Sequence, residues 1–156
     1  MTETAKEQDS AGIILVTSHI DVFTDEEKEC VAELWDEYVR HGPEVSGYNF
    51  VVARDGDQVS GFACYGERSL TEGTYDLYWI AVDPGDQGKG TGRALLQRVE
   101  DDIRQLGGRL IFVETSGLEK YAPTRKFYLA TGYLLEATIK DFYSPGDDLV
   151  IFTKHL

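Results

Sequence analysis

Gln87-Gly88-Lys89-Gly90-Thr91-Gly92-Arg93 joins an apolar stretch, Tyr75 to Val82, to a segment carrying Leu95, Val99, Ile103 and Leu106 at helical spacing. This pattern predicts a strand, a turn built on three glycines and an amphipathic helix. Such a junction suits a phosphate. Glycine lets backbone approach an anion closely, and the first N–H groups of a helix, at the positive end of its dipole, point at whatever anion sits there. Lys89 and Arg93 add charge beside those amides.

Two familiar phosphate loops do not fit. A nucleoside-triphosphate loop needs Ser or Thr directly after its lysine, but Lys89 is followed by Gly90. A dinucleotide fingerprint needs glycine at Arg93 or Leu95. The run instead resembles the [QR]-x-x-G-x-[GA] pattern of the GNAT family of N-acetyltransferases, with Gln87, Gly90 and Gly92 in register after Ala81-Val82-Asp83-Pro84. The segment Lys126-Phe127-Tyr128 through Gly132-Tyr133 resembles the family's second signature, an aromatic pair on a helix followed by Gly and an aromatic residue. The closing segments, Asp141-Phe142-Tyr143 and Gly146-Asp147-Asp148, look like a bacterial branch of the same family.

Outward from these motifs, the chain reads as one domain. Its 156 residues suffice for one core, and 42% hydrophobic with 28% charged residues is ordinary globular composition. No apolar run is long enough to span a membrane, and Met1 to Ser10 lacks a signal-peptide core. These ten residues are expected to be flexible, with a single domain over 11–156 and a cytoplasmic location. Cys30 and Cys64 show neither CxxC spacing nor a histidine grouping, so free thiols and no metal are expected. The net charge of −13, from 28 acids and 15 bases, argues against nucleic acid as a partner and for a cationic one.

Gly12 to Thr17 reads as a strand, and Thr24 to Glu27 as a capping box opening a helix that His41-Gly42-Pro43 stops. Pro43 to Tyr48 is expected to be a loop able to cover a substrate. Asp55-Gly56 marks a hairpin turn, and Gly61 a bulge or close approach. Further strands at Arg109 to Thr115, Tyr133 to Phe142 and Leu149 to Lys154 surround a short helix from Pro123 to Thr131. The order implies a mixed α/β (α+β) sheet, antiparallel except at a central crossover. The resemblance implies the single-domain acetyltransferase fold, with the sheet splayed at the cofactor site and helices flanking it.

The resemblance further implies acetyl-coenzyme A as cosubstrate. Its pyrophosphate would lie on Gln87, Gly88, Lys89, Gly90, Thr91, Gly92 and Arg93, and its pantetheine on the backbone of Ile80, Ala81 and Val82. The strand bearing them would be bulged and splayed. Tyr128 stands where the family commonly has a tyrosine as general acid; a phenol is protonated at neutral pH and can donate to a thiolate. Glu114, ending an otherwise apolar strand, is the candidate base, with Asp76 or water as rivals. Arg125 and Lys126 are further phosphate candidates, whereas Tyr121 replaces a family asparagine. Tyr75, Tyr78 and Trp79 are candidates for the acceptor pocket, with Tyr78 and Trp79 on opposite faces by alternation.

The function expected is direct acetyl transfer to a primary amine, either a small cationic amine or a peptide N-terminus, without a metal. The alternative is a non-catalytic acyl-coenzyme A sensing domain, which would have no use for Tyr128 and Glu114. Monomer and homodimer remain equally open.

Overall fold

A computed structural model describes residues 1–156. In chain order the elements are β1 (Thr2–Thr4), α1 (Ser10–Ser18), α2 (Asp25–Ser46), β2 (Asn49–Asp55), β3 (Gln58–Glu67), β4 (Thr74–Val82), α3 (Thr91–Gln105), β5 (Leu110–Ser116), α4 (Ala122–Ala130), β6 (Leu134–Ser144) and β7 (Asp147–His155). The sheet runs β1-β2-β3-β4-β5-β7-β6. Only β4 and β5 pair in parallel, across the α3 crossover. The others pair antiparallel, as the order of elements implied.

Alternation along β2 shows why its sequence is apolar without a break. Phe50 and Val52 face a core shared with Ile13, Val31 and Trp35 of α1 and α2. Val51 and Ala53 face the opposite core, with Leu95, Leu96 and Val99 of α3. A strand covered on both faces reads as a hydrophobic run, and each such side chain contributes about 1.5–3 kcal/mol on burial. No helix is long and apolar enough to cross a membrane.

Two expectations near the N-terminus are corrected. Residues 12–17 are helical, within α1, and Ile13, Val16 and Thr17 are its buried positions. Glycine and four apolar residues in sequence satisfy strand and helix patterns alike, and the three-to-four spacing of the buried set decides for helix. The first ten residues, expected to be flexible, are tied down. Strand β1 pairs with β2 at Thr2↔Ala53, and the buried Asp9 forms an ion pair with Arg54.

The capping box is present: Thr24 Oγ1 accepts from the Glu27 N–H at 3.1 Å, and Glu27 Oε1 accepts from the Thr24 N–H at 3.4 Å. Helix geometry breaks at Gly42, as the His-Gly-Pro stop predicted, but Pro43 to Ser46 then make one further helical turn. The hairpin turn and the Gly61 irregularity are both found. Ala53 pairs with Gly61 and Arg54 with Val59, leaving Ser60 as the extra residue. A Cβ at position 61 would lie 2.7 Å from the Ala81 carbonyl oxygen, so only glycine admits this approach of β3 to β4.

Candidate active site

Strands β4 and β5 part company. They pair at Thr74↔Leu110, Tyr75↔Ile111 and Asp76↔Phe112 and nowhere beyond, so from Leu77 onward the edge of β4 facing β5 has no strand partner. Asp76 therefore stands at the vertex of a V. A bulge at the opening adds to the divergence: Cys64 pairs with Trp79 and Tyr65 with Leu77, leaving Tyr78 as the extra residue. The V widens into a cleft of about 1080 Å³, against about 120 Å³ for a recess between α1 and α2.

Of the twelve cofactor-binding and catalytic candidates, with Asp76 set aside as the rival base, six meet in this cleft: Ile80, Ala81, Val82, Gln87, Glu114 and Tyr128. The other six, Gly88, Lys89, Gly90, Thr91, Gly92 and Arg93, do not line its walls. They continue from Gln87 as the turn and first turn of α3. Gly88 and Gly90 have φ of 78° and 85°, which requires glycine here at low cost. The first helical bond runs from the Ala94 N–H to the Gly90 carbonyl, and no backbone N–H from Gly88 to Arg93 has an acceptor in the protein. Six consecutive free amides at a helix N-terminus form an anion cradle. Gln87 is held there by its Nε2, which donates to the Val82 carbonyl at 3.2 Å. Lys89 leans on Asp86 at 3.0 Å, whereas Arg93 is exposed with no ion pair.

Tyr128 comes from α4 and is 3% exposed. Its hydroxyl has no hydrogen-bond partner in the chain, yet no fully buried side-chain polar atom is left without one. The oxygen therefore opens on the cleft. Burial pushes its pKa up, so the phenol stays protonated throughout the physiological range. Glu114 faces the cleft from β5, exposed and free of hydrogen bonds and ion pairs. Asp76, its rival, is bound at 2.7 Å by Arg68, which lies over the Phe112 ring. Burial raises the pKa of Asp76 while Arg68 opposes the rise. The Asp76 carboxylate is thus already engaged by Arg68, whereas that of Glu114 is free.

Several readings change. Arg125 donates to the carbonyls of Ser116 and Leu118 at 2.9 and 2.8 Å, so its charge fastens the connection between β5 and α4 and does not reach the cleft. The bulge at Tyr78 breaks the strand's alternation, so Tyr78 and Trp79 both line the cleft where opposite faces were expected. Tyr75 is buried in the core. The turn over Pro43 to Ser46 does not line the cleft either.

The missing wall comes instead from the connection between α1 and α2 and the first turns of α2, where Val22, Phe23, Glu26, Glu27 and Cys30 face the cleft. Phe23 stacks edge-on against Trp79 at 5.2 Å. Tyr121 and Lys120 reach across from before α4 and both donate to the Val22 carbonyl, at 3.0 and 3.3 Å. In sequence this wall shows only as a helix start, since nothing local records what the helix end will face. Charge around the cleft is one-sided: Glu26, Glu27, Glu67, Asp76, Glu114 and Asp147 stand against Arg68 and Lys120.

Comparison with known proteins gives the same direction. The sequence model of the acetyltransferase (GNAT) family matches residues 14–133. An L-methionine sulfoximine/L-methionine sulfone acetyltransferase of Salmonella typhimurium is 31% identical over 94 residues, 58% of this chain and 53% of that protein. The chain thus matches about half the length of this curated relative. A crystal structure from Desulfovibrio desulfuricans, assigned to acetyltransferases of the GNAT family, aligns with a TM-score of 0.95 and 47% identity, covering 99% of this chain and 98% of that one. The fold is shared with yncA of Salmonella typhimurium, solved with acetyl-CoA, at a TM-score of 0.79 and 20% identity over 100% and 93% of the two chains.

Proposed function

The chain belongs to the GNAT family of acetyltransferases, and on that premise we propose that it moves the acetyl group of acetyl-coenzyme A directly to a primary amine, a small cationic amine or a peptide N-terminus. The observation that carries this reading is the Tyr128 hydroxyl, unpartnered at the end of a buried ring and opening on the cleft between parted strands. A hydrogen-bond donor kept idle in the protein is available to a ligand.

The free amides of Gly88 to Arg93 fit a pyrophosphate, with Arg93 adding charge and Lys89 partly engaged by Asp86. The unpaired edge of β4 at Ile80, Ala81 and Val82 fits the amides of a pantetheine arm, because a strand edge offers alternating donors and acceptors. Bound acetyl-coenzyme A supplies an activated thioester carbon.

In this reading Glu114 removes a proton from the acceptor's ammonium group, whose pKa near 10.4 otherwise leaves no lone pair for attack. The amine nitrogen bonds to the acetyl carbon, and a backbone N–H near Val82 stabilises the oxyanion. The carbon–sulfur bond then breaks, Tyr128 gives its proton to the thiolate, and the resulting phenolate takes the remaining surplus proton from the former amine nitrogen, which leaves a neutral amide and restores the acid. The acidic lining of the cleft supports a cationic acceptor. Two free thiols, Cys30 and Cys64, fit a reducing cytoplasm.

The test is thiol release from acetyl-coenzyme A over a panel of diamines, amino acids and peptides, with cofactor binding measured in parallel. The expected outcome is one class of amine driving release in wild type and far more slowly in Tyr128→Phe, at equal cofactor affinity. Tight binding with no acceptor consumed would point to a sensing domain instead.

A further inference from the structure

Three carboxylates of the cleft, those of Glu27, Glu114 and Asp147, gather on its β5 side without a cation of their own. Glu114 and Ser116 lie two residues apart on β5 and share the face that looks into the cleft. Ser116 Oγ donates to Oδ1 of Asp147, the first residue of β7. The side chains of Glu114 and Asp147 are therefore set two strand residues apart, on the order of 7 Å. Tyr143 joins them from the other arm of the hairpin, where its neighbour Ser144 pairs with Asp147. Burial first, then the charges of Glu114, Asp147 and Glu27, push the Tyr143 phenol up, which puts one ring within reach of all three carboxylates. The two cations of the lining are engaged elsewhere: Arg68 binds Asp76, and Lys120 donates to the Val22 carbonyl and lies over the Tyr121 ring at 5.3 Å.

Like charges gathered without a counter-ion favour a cationic ligand. An independent sign that this space is built for a ligand is Tyr128, 3% exposed, whose unpartnered hydroxyl opens on the same cleft. On the reading given above, in which Glu114 takes a proton from the reacting ammonium group, we infer that the acceptor is an aliphatic diamine whose second ammonium group sits on Asp147 and the Tyr143 ring. Asp147 keeps Oδ2 free of the Ser116 bond, whereas Glu27 already accepts from the Tyr121 hydroxyl at 3.1 Å. An aromatic face beside a carboxylate is a receptor for an ammonium group. A diamine with about four or five methylene groups between its nitrogens spans the separation of Glu114 and Asp147 when extended. A peptide N-terminus brings one ammonium group and leaves Asp147 unmatched.

The test compares thiol release from acetyl-coenzyme A with diamines of roughly two to eight methylene groups, monoamines of matching length and peptides. Diamine binding in the presence of coenzyme A is followed by calorimetry. The expected kcat/KM for the diamine exceeds that for the matched monoamine by about tenfold or more, with its optimum at about four or five methylene groups. Asp147→Asn, which keeps an acceptor for Ser116, is expected to remove most of this advantage and to weaken diamine binding by a similar factor. The monoamine rate and acetyl-coenzyme A affinity are expected to stay as in wild type. Glu67→Gln, which removes one charge at the end of β3, is expected to leave the advantage in place. Diamine binding that depends on Asp147 but yields no product supports the second-ammonium site and sinks the transfer reaction. Equal rates for diamine and monoamine, a peptide preferred to every diamine, or an advantage that Asp147→Asn leaves intact overturns the inference and leaves acetyl transfer standing. So does an advantage that Glu67→Gln lowers as far as Asp147→Asn does, since general acidity then accounts for it. A diamine neither bound nor consumed overturns the inference, and release with another amine or with none then decides whether acetyl transfer survives it.

Discussion

The Tyr121 hydroxyl lies 3.1 Å from each carboxylate oxygen of Glu27, bridging the helical layers on the two faces of the sheet. Its single proton is shared with the Val22 carbonyl at 3.0 Å. Burial first, and Glu27 second, raise its pKa, so the donor persists at any physiological pH. This one side chain fixes the wall that α1 and α2 present to the cleft.

Tyr121→Phe keeps the ring and removes the bridge. Of the two hydrogen bonds to the Val22 carbonyl only that from Lys120 then remains, while the glycine turn is untouched. Steady-state kinetics are expected to show the acceptor KM rising about tenfold, equivalent to about 1.4 kcal/mol. Calorimetry is expected to show acetyl-coenzyme A binding unchanged. Equal losses in both would mean that the bridge serves the whole fold and not the acceptor wall.

Tyr128→Phe separates stability from turnover. Because the hydroxyl has no partner in the protein, its removal breaks no internal hydrogen bond and thermal unfolding is expected to move by less than about 0.5 kcal/mol. Turnover, if the phenol is the acid, is expected to fall by about 10²–10⁴-fold. A large loss of stability would place the tyrosine among the structural residues instead.

The legible parts of this fold are those with local causes. The glycine run, the capping box at Thr24 and the hairpin at Asp55-Gly56 each carry their conformation in their own residues. Residues 12–17 were not legible as helix because Ile14 and Leu15, on the outer side of α1, are as apolar as Ile13 and Val16 on the inner side. The cleft was half legible. Backbone motifs marked its cofactor side, whereas Glu27 and Tyr121 meet only through tertiary packing. The bulge in β4 was expected from the family resemblance and is found, but its position at Tyr78, which changes the face that the next side chain takes, is marked by no residue of the strand.

Gly90 and Gly92 make different demands. A Cβ at Gly90 meets nothing within 4 Å, but φ of 85° costs a non-glycine residue about 1–2 kcal/mol. Gly92 is helical, and a Cβ there would sit 3.5 Å from the Phe127 ring, in ordinary contact. Gly90→Ala is therefore expected to lower the melting temperature and weaken cofactor binding together. Gly92→Ala is expected to hold both its melting temperature and its cofactor affinity, because the added methyl group faces Phe127 and Val82 in ordinary contact and the family pattern admits alanine at this position. Unchanged affinity in Gly90→Ala would remove the turn's amides from the cofactor site.

Glu100 on α3 is 3% exposed and accepts from Lys154 Nζ at 2.9 Å and from the Tyr133 hydroxyl at 3.2 Å. Lys154→Met deletes the near cation and leaves only Arg104, at 3.9 Å. Breaking one side of a buried pair costs about 3 kcal/mol at the low end. For a chain of this size that is a loss of about 10 °C in melting temperature. Pairing the change with Glu100→Leu, which removes the stranded charge, is expected to recover part of it. Calorimetric scans of the single and double variants decide between a costly stranded charge and a mere loss of packing.

Tyr65, Tyr121, Tyr128 and Tyr133 are all buried, and burial is the leading cause that raises each pKa above the ordinary value of 10. Above pH 10 the unfolded chain releases protons that the folded chain retains, so folding loses stability as pH rises. Below pH 10 both states hold the protons and the contribution is complete. Each tyrosine adds about 1.4 kcal/mol of loss per pH unit, and the four together on the order of 5 kcal/mol per unit. Urea midpoints are expected to stay level from about pH 8 to 9 and to fall steeply beyond 10. In Tyr128→Phe the fall should be shallower, since one retained proton is gone. A slope unchanged by that substitution would mean that Tyr128 titrates alike in both states, and that its hydroxyl is more open to water than its burial implies.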